Sequence, residues 1–365
     1  MTPRVLGERY RLDAVIGEGG MGVVYAAFDL TIQRTVAVKL LRRDAAASAD
    51  DARRLLLEVR STGRVKSAHT VTLFDVGQTD EGDPFLVMEL VAGESLAETL
   101  KRERERERER VLPLTRAVAI AVQVCAALDA AHAVGIVHRD VKPPNIMLSP
   151  RRESEQPHDH VTVLDFGIAK HLAQPTAVTE PGALVGTLEY MAPEQIAGEA
   201  LDGRADQYAL AATLIRMISG ESLFPGAGVA SIVHHHLLKV PSPLCDRVPS
   251  APRALDAALR RALEKKPDAR YPDIRAFATA LRAAAGLTET STDAETPQTR
   301  RPEVASRRPL VRTQEMELVI PGDAAGLEVD APAVLLVRPA PAPLVHAPRR
   351  TGRTCLRTLQ RNDEP

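Results

Sequence analysis

Gly17, Gly19 and Gly22 occur as G-E-G-G-M-G-V-V between two strand-like runs. Without a Cβ, such a turn lets backbone N–H groups close on phosphate oxygens. A glycine hairpin is equally a frequent structural turn, and a dinucleotide fingerprint fits less well because a strand rather than a helix follows Gly22. Downstream come V-A-V-K ending at Lys39, a helical stretch bearing Glu58, H-R-D-V-K-P-P-N from His138 to Asn145, D-F-G beginning at Asp165 and A-P-E ending at Glu194. Any one of these is weak. Their order along one chain is far more specific than the glycines alone.

With that series, and with the running text HRDVKPPNIML, LDFGIAK and GTLEYMAPEQ, the chain resembles the bacterial Hanks-type (eukaryotic-like) serine/threonine protein kinases from about Arg9 to Ala284. The resemblance implies an α+β bilobal fold, a small β-rich N-lobe with one key helix and a larger helical C-lobe. It implies an N-lobe over about 9–88, a hinge over 89–93 and a C-lobe over about 94–284, with residues 1–8 as a lead. Transfer of a γ-phosphoryl group asks the protein for positioning and charge compensation more than for covalent chemistry. By the resemblance, the backbone of Gly17, Glu18, Gly19, Gly20, Met21 and Gly22 covers the phosphates of ATP, Lys39 holds the α- and β-phosphates, and Glu58 orients Lys39. Asp140 receives or steers the acceptor hydroxyl proton, and Lys142 stabilises the transferring phosphoryl.

Asn145 and Asp165 match the metal ligands. An amide and a carboxylate, completed by phosphates and water, suit Mg²⁺, with Mn²⁺ as a substitute. The adenine ring is expected between Val24 and Ala37 on one side and Met147 on the other, its edge against backbone groups of Glu89 and Val91 after Met88. Val24, Ala37 and Met147 read equally well as plain core residues. Arg139, before the catalytic Asp140, resembles an arginine that binds a phosphate on the activation segment, here Thr179 or secondarily Thr176. Thr187 matches a threonine that contacts Asp140 and Lys142. His138 and Phe166 match an apolar stack, with Asp206 holding the His138 backbone, and Glu194 is expected to pair with Arg270. Pro144 stands where many relatives have a Glu that reads basic substrates, which removes the basis for basophilic specificity.

The elements that must position these residues follow from periodicity. Tyr10 to Lys39 reads as strands around the glycine turn, Ala52 to Val65 as a helix, and Leu114 to Val134, Asp206 to Ser219 and Ala254 to Leu263 as further helices. KRERERERER, from Lys101 to Arg110, mixes both charges on every helical face and reads as a solvated helical extension. His234 to His236 cannot converge on one ion from a helix, so they are expected on a surface helix rather than at a metal. The stretch Arg151 to His160 lengthens a connection between the ligand-bearing strands. From 285 to 365 the composition turns to Pro, Thr and Arg, the signature of a disordered tail, with a short strand at Val311 to Ile320.

Composition limits the partners. With 47 Lys and Arg against 48 Asp and Glu, no global field favours nucleic acid or an anionic membrane. Three dispersed cysteines, Cys125, Cys245 and Cys355, argue against a disulfide framework and for a reducing cytoplasm. No secretory signal opens the chain, and Ala331 to Ala347 is broken by Arg338 and prolines, so no transmembrane helix is expected. The expected partners are protein substrates with Ser or Thr acceptors, an intracellular input, and a kinase–kinase dimer for autophosphorylation in trans. Two other readings are a small-molecule phosphotransferase, disfavoured by Lys142 and the segment from Asp165 to Glu194, and a pseudokinase scaffold, disfavoured by the complete motif set.

Overall fold

The computed structural model describes residues 4–19, 22–41, 63–106, 112–150, 159–166, 186–225 and 228–287. Glu58, Gly20, Met21, Thr176, Thr179 and the tail strand expected at Val311 to Ile320 lie outside them, as does most of the helix expected at Ala52 to Val65, of which residues 63 and 64 form a turn. All described residues belong to the first of two units, which runs from Met1 to Thr296.

The N-terminal part is a six-stranded sheet in the order β1-β2-β3-β4-β6-β5, with β1 Val5–Leu6, β2 Tyr10–Gly19, β3 Gly22–Asp29, β4 Arg34–Leu41, β5 Leu73–Gln78 and β6 Pro84–Met88. Its pairings are antiparallel. Alternation along β4 decides where Lys39 goes. Val36 and Val38 enter a core with Tyr10, Ala27, Phe85 and Val87, whereas Ala37 and Leu41 join Leu86 and Met88 in a second cluster. Lys39 shares the parity of Ala37, so it leaves the strand on the side of that second cluster.

The C-terminal part is helical around one large core, with a three-stranded ribbon of β7 Glu94–Ser95, β8 Ile146–Pro150 and β9 Asp159–Val163. Its helices are α1 Leu96–Arg106, α2 Leu114–His132, α3 Pro193–Ile196, α4 Gly203–Ser219, α5 Val229–Leu238, α6 Leu244–Arg247, α7 Arg253–Ala262 and α8 Ile274–Ala284. By length and composition α2 is apolar enough to cross a membrane, and Val118, Ile120, Val124 and Leu128 on it are buried in the protein core. α4 starts three residues before the apolar periodicity does, because Asp202 caps it by accepting the Arg204 N–H at 2.8 Å.

Two expectations need correction. The charged run is only partly a solvated extension: α1 reaches Arg106, and Arg102 is half-buried, paired with Glu94 and with Glu103 at 3.2 Å. The histidine run does not lie wholly on a surface. His236 is 1% exposed, and its Nδ1 meets the Tyr208 hydroxyl at 2.9 Å, because the third residue of the run turns from solvent toward α4.

Candidate active site

Lys39 is 6% exposed and its Nζ lies 2.6 Å from Asp165 Oδ2. Burial pushes the Asp165 carboxyl up, but Lys39, assisted by His138 and Lys142, outweighs it and holds the group below the usual carboxylate range. The residue stays an anion at neutral pH. Its backbone is left-handed, with φ of 60°, as is that of Arg139 at 68°, an uncommon state for side chains of this kind and one that surrounding bonds must enforce.

Those bonds are present. Asp206, fully buried on α4, accepts the N–H of His138 with Oδ2 and of Arg139 with Oδ1, each at 2.8 Å. The Gln195 amide donates to the Arg139 carbonyl at 2.8 Å, and His132 Nε2 meets Asp206 Oδ2 at 2.8 Å. His138 Nδ1 accepts the Asp140 N–H at 3.2 Å, so its Nε2–H is the donor to the Leu164 carbonyl at 2.8 Å. The His138 ring packs on Phe166 with centroids 4.7 Å apart, as the stack requires.

Asp140, 9% exposed, is held from two sides. Asn145 Nδ2 donates to its carbonyl at 2.8 Å and to Oδ2 at 3.0 Å, and Lys142 Nζ lies 2.9 Å from Oδ1. Lys142 also donates to Thr187 Oγ1 at 2.8 Å, so Thr187 reaches Asp140 through the lysine. Asn145 and Asp165 flank one ribbon: Asn145 precedes β8, Asp165 follows β9, and Ile146 pairs with Val163. The Leu164 N–H donates to the Asn145 carbonyl at 2.9 Å, which brings two hard oxygen-bearing side chains to the same end of the ladder.

The glycines divide by role. A Cβ on Gly22, with φ of 152°, would stand 2.1 Å from the Leu40 carbonyl oxygen, so the fold itself demands glycine there. At Gly19 a Cβ would meet nothing within 4 Å, and at Gly17 only ordinary contact with Val24. On that side of Gly19 no atom of the described residues approaches. Val24 packs against the cluster of Ala37 and Met88, and Ala37 pairs directly with Met88 across the ladder. Met147 is half-buried on β8, and the Glu89 N–H is taken by the Thr72 carbonyl at 2.9 Å.

Glu194 and Arg270 form a buried bidentate pair at 2.6 and 2.8 Å. Sequence reasoning missed His132 and Gln195, lone polar residues whose partners lie far along the chain. One trace of His132 is visible: a Cβ on Gly203 would come within 2.5 Å of its ring.

The family model described as protein kinase domain matches residues 10–278. A probable serine/threonine-protein kinase PknB of Corynebacterium glutamicum is 36% identical over 313 residues, 81% of this chain and 46% of that protein. Serine/threonine-protein kinase Pkn1 of Myxococcus xanthus is 39% identical over 275 residues, covering 75% of this chain and 38% of the relative. The chain thus spans about half or less of the length of these curated relatives. Among solved structures, the PknI kinase domain of Mycobacterium tuberculosis aligns with a TM-score of 0.60 at 29% identity, covering 78% of this chain and 99% of that one.

Proposed function

This chain belongs to the protein kinase domain family, and on that premise we propose that it transfers the γ-phosphate of ATP to Ser and Thr hydroxyls of proteins, its own activation segment included. The observation that carries the reading is the Asp140 carboxylate, fixed by Asn145 on one oxygen and Lys142 on the other. Such a carboxylate can take a hydroxyl proton as the acceptor oxygen attacks the γ-phosphorus and the bond to the β,γ-bridging oxygen breaks.

The backbone at Gly17 and Gly19 fits phosphate oxygens approaching its N–H groups. Lys39 supplies a buried cation for the phosphates, and Lys142 offsets charge on the phosphoryl in transit. Val24, Ala37 and Met147 form apolar surface for the adenine, with the Glu89 carbonyl and the Val91 backbone at its edge. Asp165 and Asn145 fit Mg²⁺, or Mn²⁺ in its place, because a two-oxygen protein set leaves room for phosphates and water. When bound, the ion shields phosphate charge.

Arg139 has no ion-pair partner among the described residues and is half-buried beside the catalytic loop. It suits a phosphate on Thr179 or Thr176, reached in trans within a kinase–kinase dimer. The free thiols of Cys125 and Cys245 suit a cytoplasmic setting. Transfer of label from γ-labelled ATP to the chain and to a general protein acceptor tests the reading. The wild type should label both, and Lys39→Ala, Asp140→Asn and Asp165→Asn should each lower the rate by orders of magnitude. Robust turnover in all three variants would overturn it.

A further inference from the structure

A groove of about 320 Å³ opens beside the catalytic loop, within the range of ligand sites of roughly 300–1,000 Å³. It takes Lys101 and Arg104 from α1, Pro144 from the turn after Lys142, Glu189 and Tyr190 from the segment after Thr187, and Arg216 from the last turn of α4. Among the described lining residues, three cations therefore stand against one carboxylate. Lys101 and Arg104, three apart, lie on one helix face. Among the described residues none of the three cations has an ion-pair partner, whereas Arg102 between them is occupied by Glu94 and Glu103. Within the alternating run, Arg102 is thus spent on the fold while Lys101 and Arg104 line the groove.

The groove adjoins the chemistry. Pro143 and Pro144 directly follow Lys142, and Thr187, bonded to Lys142 at 2.8 Å, lies between Gly186 and Glu189 in the lining. A chain laid with its hydroxyl at Asp140 covers at most about 3.3–3.6 Å per residue, so side chains reaching the groove belong to positions within a few residues of the acceptor.

We propose that this groove selects acceptor segments carrying Asp or Glu near the Ser or Thr to be phosphorylated. The inference rests on the kinase reading above and names its substrate class. Pro144 contributes no charge at the lip, and a lysine or arginine there would meet Lys101, Arg104 and Arg216, with Glu189 the one acidic residue among the described lining residues.

The test uses the full chain and three peptides with one central Thr, flanked by Asp and Glu, by Ala, or by Lys. At low salt the acid-flanked peptide should show a KM about tenfold below the lysine-flanked one at similar kcat, the size expected from a few exposed charge pairs, and the gap should narrow as salt rises. Fluorescence anisotropy of the same labelled peptides, which needs no turnover, should give the same order. Lys101→Glu with Arg104→Glu, both exposed positions, should invert the order of KM and of affinity across the acid- and lysine-flanked peptides while the melting temperature stays put. Equal KM and equal affinity across the three flanks, or an acid preference that survives the double charge reversal, would overturn the proposal. Acid-selective binding without transfer to any peptide would leave the groove standing and overturn the kinase reading instead.

Discussion

Asp206 holds Arg139 by the main chain: Oδ1 accepts the Arg139 N–H at 2.8 Å, and the guanidinium has no ion-pair partner among the described residues. One carboxylate on a core helix thereby enforces a left-handed residue next to Asp140, the proposed catalytic base, while leaving the Arg139 side chain to the phosphate-binding role proposed for it.

Replacing Asp206 by Ala should therefore damage stability and rate together. The His138 N–H, the Arg139 N–H and His132 lose an acceptor in a fully buried place. At about 1–3 kcal/mol for each unsatisfied buried group, we expect a loss of at least about 3 kcal/mol in urea unfolding and a collapse of kcat. Asp206→Asn, which keeps the shape but turns an NH₂ toward a donor, should fall between. A variant with native stability and native kcat would contradict this account of the catalytic loop.

Thr187 should separate from Thr176 and Thr179 in kinetics. Its hydroxyl accepts from Lys142, so Thr187→Val should cut kcat at least tenfold with no phosphate involved, and Thr187→Ser should recover most of it. Thr176→Ala with Thr179→Ala should leave the catalytic groups intact and instead abolish activation by preincubation with ATP, because a phosphothreonine brings about −1.5 to −2 charge for Arg139. A phosphosite map with no phosphate between Ile168 and Tyr190, joined to full activity of the double variant, would place regulation elsewhere.

His236 predicts an acid-sensitive fold. Burial first, then the charge of Lys265, lower its pKa from the ordinary 6.5 to about 4; Tyr208 on α4, the backbone of Glu189, the neighbouring His235 and the Phe224 ring also surround it. The unfolded chain then binds the extra proton, so the contribution is complete above about 6.5 and disappears as pH falls toward and through 4. At about 1.4 kcal/mol per unit this amounts to about 3 kcal/mol. Urea midpoints between pH 7.5 and 4 should fall along that window, and His236→Asn should flatten the slope. An unchanged slope would mean that other groups set it.

Among the described residues Arg270 is the most deeply buried Lys or Arg. Besides both Glu194 oxygens it donates to the carbonyls of Glu264, Arg204 and Lys265. Arg270→Met should cost about 3–5 kcal/mol, since it strands the buried Glu194. Adding Glu194→Leu should restore only part, as three carbonyls still lack their donor; full recovery in thermal melts would show that the carboxylate pairing was the whole effect.

The candidate catalytic residues were legible because each sits in a short contiguous string: Lys39 at a strand parity, Asn145 and Asp165 at the same end of one ribbon. His132 and Gln195 were not, because their partners are separated from them by many residues and no local pattern marks the pairing. His236 was hidden by its own neighbours, as a run of three histidines reads as surface although α5 turns one of them inward. The charge of α1 was averaged away by its alternation; only the fold distinguishes Arg102, spent on Glu94, from Lys101 and Arg104.

The β8–β9 ribbon separates chemistry from length. Asn145 and Asp165 sit at the end closed by the Ile146–Val163 pair, while residues 151–158 join the opposite end, beyond Pro150 and Asp159. Because the ladder register is set by the strands, the number of residues crossing that far end does not enter the spacing of Asn145 and Asp165. Evolution, or an engineer, can lengthen, trim or splice a reporter into that connection while the catalytic end keeps its dimensions.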